Sequence, residues 1–142
     1  MKLNVAMAQI NTVLGDVERN LEKHLELVAQ ARRGGADLIT FPELSLTGYV
    51  LQDLAPTVSC RPLPMDPVFN KLIDASKGID IQVGFVEEDE RNRFYIATAY
   101  LSEGSVLHVH RKVYLPTYGV FDEGRFFAHG ESVRAFDTRF GR

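Results

Sequence analysis

Ala36-Asp37-Leu38-Ile39-Thr40-Phe41-Pro42-Glu43-Leu44-Ser45-Leu46-Thr47-Gly48-Tyr49 is the stretch that decides the fold. Leu38, Ile39 and Phe41 leave no polar face, so residues 36–41 are predicted to form a buried strand. Strands covered on both faces belong to α/β sheets, where helices pack on the sheet. Pro42 closes the run, because proline has no backbone donor for a sheet ladder. Residues 42–49 then form a loop just past a strand end, which is where open α/β sheets bind ligands.

Working outward, residues 3–10 read as a first strand and 11–16 as a turn region. A helix is predicted over 17–33, because Leu21, Leu25 and Val28 recur at i, i+4 and i+7. Asp16 or Asn20 can cap it, Gly34-Gly35 ends it, and Arg32-Arg33 suit the dipole of its last turn. Residues 51–67 hold Pro56, Pro62, Pro64 and Pro67 and read as a surface crossing rather than an element interior. A second helix is predicted over 68–77, with Val68, Leu72 and Ala75 on one face and Gly78 as its stop. Residues 80–86 read as a strand. Residues 94–102 and 106–111 read as two strands joined at Glu103-Gly104, a hairpin signal. Residues 113–127 show no period, and 133–138 alternate as a strand would. The order predicts an α/β fold with a mixed sheet and helices.

The chain has 142 residues, enough for one domain or a large piece of one. Hydrophobic residues are 45% and charged residues 25%, which excludes disordered and fibrous classes. A net charge of −3 argues against nucleic-acid binding through bulk charge. The lone cysteine, Cys60, excludes an internal disulfide and a multi-cysteine zinc site, and fits a cytoplasmic protein. No apolar run reaches the roughly 20 residues of a membrane span. Met1-Lys2-Leu3-Asn4 meets Gln9 and Asn11 too early for a signal-peptide core.

Three places carry chemistry, each with a plainer reading beside it. Glu43, at a buried strand's end, would be partly desolvated and suited to general-base work; the plain reading is a solvated loop charge or a helix N-terminal glutamate. Lys112, after a strand and among aromatics, can hold an oxyanion; the plain reading is a surface lysine. The loop 118–127 mixes aromatic and charged residues and is expected to pack over something, either a site or simply the core. His108 and His110 share a strand face, but no third metal ligand accompanies them. Cys60 reads as an incidental thiol.

Val5-Ala6-Met7-Ala8-Gln9, then Phe41-Pro42-Glu43-Leu44-Ser45-Leu46-Thr47-Gly48-Tyr49, then His110-Arg111-Lys112-Val113-Tyr114-Leu115-Pro116 together resemble the nitrilase, or carbon–nitrogen hydrolase, superfamily. The resemblance runs in order over essentially the whole chain. Residues 118–127 are most similar to the glutaminase domain of glutamine-dependent NAD synthetases and to the stand-alone amidases near it.

The resemblance implies the N-terminal part of an α-β-β-α sandwich that pairs into a homo-oligomer. It implies hydrolysis of a linear amide without cofactor or metal. Glu43 would be the general base, Lys112 the oxyanion partner, and Glu123 a supporting glutamate around the lysine. The nucleophile would be a cysteine.

Two departures stand out. Tyr95-Ile96 replaces the usual Tyr-Asn. The family's cysteine lies on a strand following a segment like residues 136–142, and Cys60 falls out of the order Glu, Lys, Cys. Residues 1–142 are therefore expected to be a single partial domain, truncated before the nucleophile and inactive alone, with the rest of the fold as a partner. The competing readings are a stand-alone amidase, a synthetase's glutaminase domain, a non-catalytic scaffold or assembly remnant, and, last in order, a metal-dependent hydrolase using His108 and His110.

Overall fold

The computed structural model describes residues 2–142. The elements follow in the order β1 (Val5–Met7), α1 (Val17–Arg33), β2 (Leu38–Thr40), α2 (Ala55–Val58), α3 (Pro67–Ala75), β3 (Asp80–Glu88), β4 (Phe94–Ser102), β5 (Ser105–Arg111) and α4 (Glu123–Phe126). The five strands form one sheet in sequence order. β1, β2 and β3 run parallel, and β3, β4 and β5 antiparallel, so the sheet is mixed as expected.

Local chemistry explains the element ends. Asp16 caps α1 by accepting from the Arg19 amide at 3.0 Å, with Glu18 in the first turn and Arg32-Arg33 in the last. Asp66 caps α3 by accepting from the Val68 and Phe69 amides, and Pro67 occupies the first turn, where no amide partner is needed. Glu103 and Gly104 both have positive φ, which is the two-residue loop a right-twisted hairpin favours.

Alternation along β3 and β4 divides the sheet into two unlike faces. Ile81, Val83, Phe85, Ala97, Ala99 and Leu101 point into the main core, together with Leu21 and Val28 of α1 and Phe69 and Leu72 of α3. The opposite face presents Thr40, Gln82 and Thr98, all half-buried. Near Tyr100 that face is covered by the last part of the chain. Phe136 stacks on His108 at 4.3 Å and meets Tyr100 edge-on. Asp80, fully buried, accepts from Arg139 at 2.9 Å, from the Tyr100 hydroxyl at 2.6 Å and from the Ser102 hydroxyl at 2.7 Å.

Several expectations need correcting. The strand expected over 3–10 pairs only at Val5–Met7, and that over 36–41 only at Leu38–Thr40. Residues 51–67 are not wholly irregular: a 3-10 turn over Gln52–Leu54 leads into α2, with Pro56 in its first turn. Residues 133–138 form no strand, because among the described residues only Thr138 has a ladder partner, Gly141. Their alternation instead lets Phe136 reach the sheet face. Asn20 does not cap α1; it is buried, donating to Val13 O and Leu46 O and accepting from the Val13 amide.

His24, one turn along α1, is fully buried. Its Nδ1 lies 2.6 Å from Asn20 O and therefore carries the proton, while Nε2 accepts from the Ser45 hydroxyl at 2.9 Å. Burial lowers its pKa from 6.5 to about 4, outweighing the bond to Asn20. The folded pKa lies below the unfolded one, so the neutral ring's contribution is complete above pH 6.5 and is lost as pH falls toward 4. That gap corresponds to about 3 kcal/mol. Denaturant unfolding at pH 7 and pH 4.5 is expected to show a loss of this order that is absent from His24→Phe. Equal pH slopes in the two proteins would contradict the assignment to His24.

Candidate active site

The chain leaving β2 stays tied to the edge of β3. The Phe41 amide donates to Gln82 O, the Leu46 amide to Gly84 O and the Cys60 amide to Val86 O. Between the first two contacts the chain makes a tight turn, with Pro42 and Glu43 exposed and Leu44 and Ser45 buried. Leu44 within it adopts φ +52°, a left-handed conformation that costs a leucine on the order of 1–3 kcal/mol. Gly84 makes the approach possible: a Cβ there would lie 2.5 Å from Pro42 O and 2.6 Å from Leu44 N. Glu43 is carried on this turn and is directed away from the core, with its side chain 44% exposed.

Lys112 follows β5 and is fixed on both sides of its backbone. Its amide donates to Ile96 O, and its carbonyl accepts from the Gly130 amide, both at 2.8 Å. Next to it, Arg111 makes two 2.7 Å hydrogen bonds to the buried Glu87 and lies over the Tyr95 ring. Such a bidentate pair fixes geometry as well as charge. Glu123 opens α4, its amide held by Pro116 O, and is 5% exposed.

The three side chains named from the sequence converge. Lys112 Nζ lies 3.0 Å from Glu43 Oε1 and 3.0 Å from Glu123 Oε1. Tyr49 donates its hydroxyl to Glu123 Oε1. Among the described residues the other carboxylate oxygen, Oε2, is buried without a partner. Burial alone would pull the Lys112 ammonium's pKa down, but its hydrogen bonds to Glu123 and Glu43 prevail and raise it above the ordinary lysine value. Burial, reinforced by Glu123, pushes the Tyr49 phenol well up, so it remains a donor. The ammonium is thus cationic at neutral pH and can receive a developing negative charge. Glu43, the more exposed partner, can take a proton. A cavity of about 330 Å³ lined by Phe41, Glu43, Gln82, Thr98 and Lys112 opens beside them.

The remaining candidates lie elsewhere or serve packing. Cys60 belongs to the helix-side core, and burial pushes its thiol up to about 12, which suppresses the thiolate. His108 is taken up by its stack on Phe136. Among the described residues no group of three His, Cys, Asp or Glu side chains is placed to hold a metal, and no helix is long and apolar enough to cross a membrane. The loop 118–127 is mixed: Phe127 is buried, while Tyr118 and Val120 are exposed beside the site. Ile96 is buried in a second apolar cluster with Leu44, Val86 and Leu115, so packing stands at that position. The sequence reading missed Tyr49 and Gly84 as parts of the site. A glycine within a strand is a weak sign of close backbone approach, and it was the one available for Gly84.

Residues 4–142 match the carbon–nitrogen hydrolase family, and the chain belongs to it. It is 40% identical over 134 residues to the glutamine-dependent NAD(+) synthetase of Thermotoga maritima, covering 93% of this chain and 23% of that protein. The structure of the glutamine-dependent NAD+ synthetase from Acinetobacter baumannii superposes with a TM-score of 0.86 at 38% identity, over 98% of this chain and 26% of that one. An amidase from Nesterenkonia sp. superposes with a TM-score of 0.83 at 25% identity, over 99% of this chain and 52% of that one. The chain therefore spans about a quarter of the synthetases' length and about half of the amidase's. The mixed sheet and its helices are those of nitrilase-like proteins.

Proposed function

We propose that this chain supplies the glutamate–lysine half of a thiol-dependent amide hydrolase, acting as the glutaminase part of a glutamine-dependent synthetase. The observation that carries the reading is the Lys112 ammonium, held 3.0 Å from each of two carboxylates, one on the turn after β2 and one at the start of α4. A surface lysine has no need of that arrangement. An amide is a poor electrophile, so its hydrolysis needs an activated nucleophile, a charge to hold the oxyanion, and a proton source for the departing ammonia. Lys112 suits the second task, and Glu43 the proton transfers to and from nucleophile and leaving group. Glu123 supports the lysine.

The nucleophile of this reading comes from residues outside this chain, because Cys60 is buried in the helix-side core. The same residues would cover the polar sheet face, and whole domains would pair into a homo-oligomer. Higher identity to the synthetases than to the amidase favours glutamine over other linear amides.

Ammonia release from L-glutamine and from short aliphatic amides tests this. The 142-residue chain is expected to be inactive. The chain joined to a cysteine-bearing remainder of the family domain is expected to turn over glutamine preferentially, with Cys60→Ser unchanged. Turnover by the chain alone that disappears in Cys60→Ser would overturn the proposal. Faster hydrolysis of aliphatic amides than of glutamine would favour the amidase reading.

A further inference from the structure

The turn bearing Glu43 holds a left-handed leucine, and such a conformation persists only where its surroundings over-determine it. Its own backbone bonds do part of this: the Thr47 and Gly48 amides both donate to Leu44 O. Further restraint comes from α1, and it is polar. Asn20, fully buried, donates to Leu46 O at 3.0 Å while its other hydrogen bonds engage Val13. His24, also fully buried, accepts the Ser45 hydroxyl at 2.9 Å and stacks on Phe41 at 4.1 Å. Contacts at residues 41, 45 and 46 thus bracket position 43 on both sides. An apolar helix face would have filled the same space without the desolvation cost of an imidazole and a carboxamide. What the polar pair adds is direction, since each hydrogen bond fixes one atom of the turn.

We propose that His24 and Asn20 are positioning residues for Glu43: through Ser45 and Leu46 they hold the turn that sets this carboxylate against Lys112. Their importance to catalysis rests on the amide-hydrolase reading, whereas their effect on the Glu43–Lys112 pair does not. Neither side chain is among those that meet at Lys112. Both act one layer beneath it, across the interface between α1 and the turn. Glu123 reaches Lys112 from α4 and touches none of His24, Asn20, Ser45 and Leu46; its one bond to this segment is from the Tyr49 side chain further along, so it serves as an internal control.

The test follows the Lys112 side chain by NMR titration in the 142-residue chain. Glu43→Gln and Glu123→Gln are each expected to lower its midpoint, since each removes a hydrogen-bonded carboxylate. In a Ser45→Ala background, and in His24→Phe, the shift caused by Glu43→Gln is expected to shrink by at least half, while that caused by Glu123→Gln is retained. Should His24→Phe fail to fold, Ser45→Ala carries the test alone, since it removes only one buried hydroxyl. A Glu43→Gln shift that keeps more than half its size overturns the proposal. So does an equal loss of both shifts, which would mean that the network supports the fold generally. No turnover is measured, so this result stands or falls separately from the hydrolase reading.

Discussion

On the proposed glutaminase reading, Lys112→Ala, made in a protein that joins this chain to a cysteine-bearing remainder of the family domain, is expected to lower kcat for glutamine hydrolysis by at least about a thousandfold. Removing one oxyanion donor typically costs about 10²–10³. Lys112 also carries a full charge and bridges two carboxylates, so its loss leaves Glu43 and Glu123 facing each other without a cation. Glu43→Gln is the milder change in shape and is expected to cost about 10²–10⁴, the range for losing a positioned general base. The double variant should be little worse than Lys112→Ala alone, because groups acting as a unit are not additive. Stopped-time ammonia assays at saturating substrate, with circular dichroism to confirm folding, measure all three. A Lys112→Ala protein retaining more than a tenth of the activity would remove the lysine from the chemistry.

Glu43 and Lys112 were legible as residue types at strand ends, and Glu123 only through the family resemblance, yet nothing in their spacing said that they meet. Glu43 and Lys112 are 69 residues apart, and their contact depends on how β2 and β5 are placed around β3 and β4. The resemblance to a family supplied that juxtaposition before the fold did.

The helix α1 and its apolar inner face were readable from its period: Leu21 and Val28 are buried, and Leu25 is half-buried against the core. The burial of Asn20 and His24 beside them was not readable, because their partners are backbone and hydroxyl groups of a turn distant in sequence. Residues 133–138 misled for a related reason. Alternation marks a face that meets something, and here it meets aromatic side chains rather than a strand edge. Tyr49 was visible within its motif, but its bond to Glu123 spans 74 residues and has no local signature.

Gly84→Ala is expected to be the most damaging single-methyl change in the chain's sheet. The glycine lies within β3 with ordinary strand dihedrals, so the effect is one of space rather than conformation. An added Cβ would fall 2.5 Å from Pro42 O, 2.6 Å from Leu44 N and 3.0 Å from Glu43 Cα. These are backbone atoms, so no side-chain rotation relieves the contact, and the turn must lift away from β3. Lifting it breaks the Leu46 amide's bond to Gly84 O and displaces the Asn20 and Ser45 contacts. Overpacking of a tight site costs about 1–3 kcal/mol, and the lost hydrogen bonds add roughly 1 kcal/mol each. Unfolding stability is therefore expected to fall by about 3 kcal/mol or more. Hydrogen exchange at the Leu46 amide should rise beyond what the global loss explains, while that of Tyr100, paired further along the sheet, tracks the global change. Gly34→Ala serves as the control: its backbone is helical, and the nearest contact of a new Cβ is an ordinary 3.4 Å. That variant is expected to lie within about 1 kcal/mol of the parent, on the stabilising side. A Gly84→Ala protein that unfolds at the parent's midpoint, with Leu46 still protected, would mean that the turn tolerates displacement and does not depend on that close approach to hold Glu43.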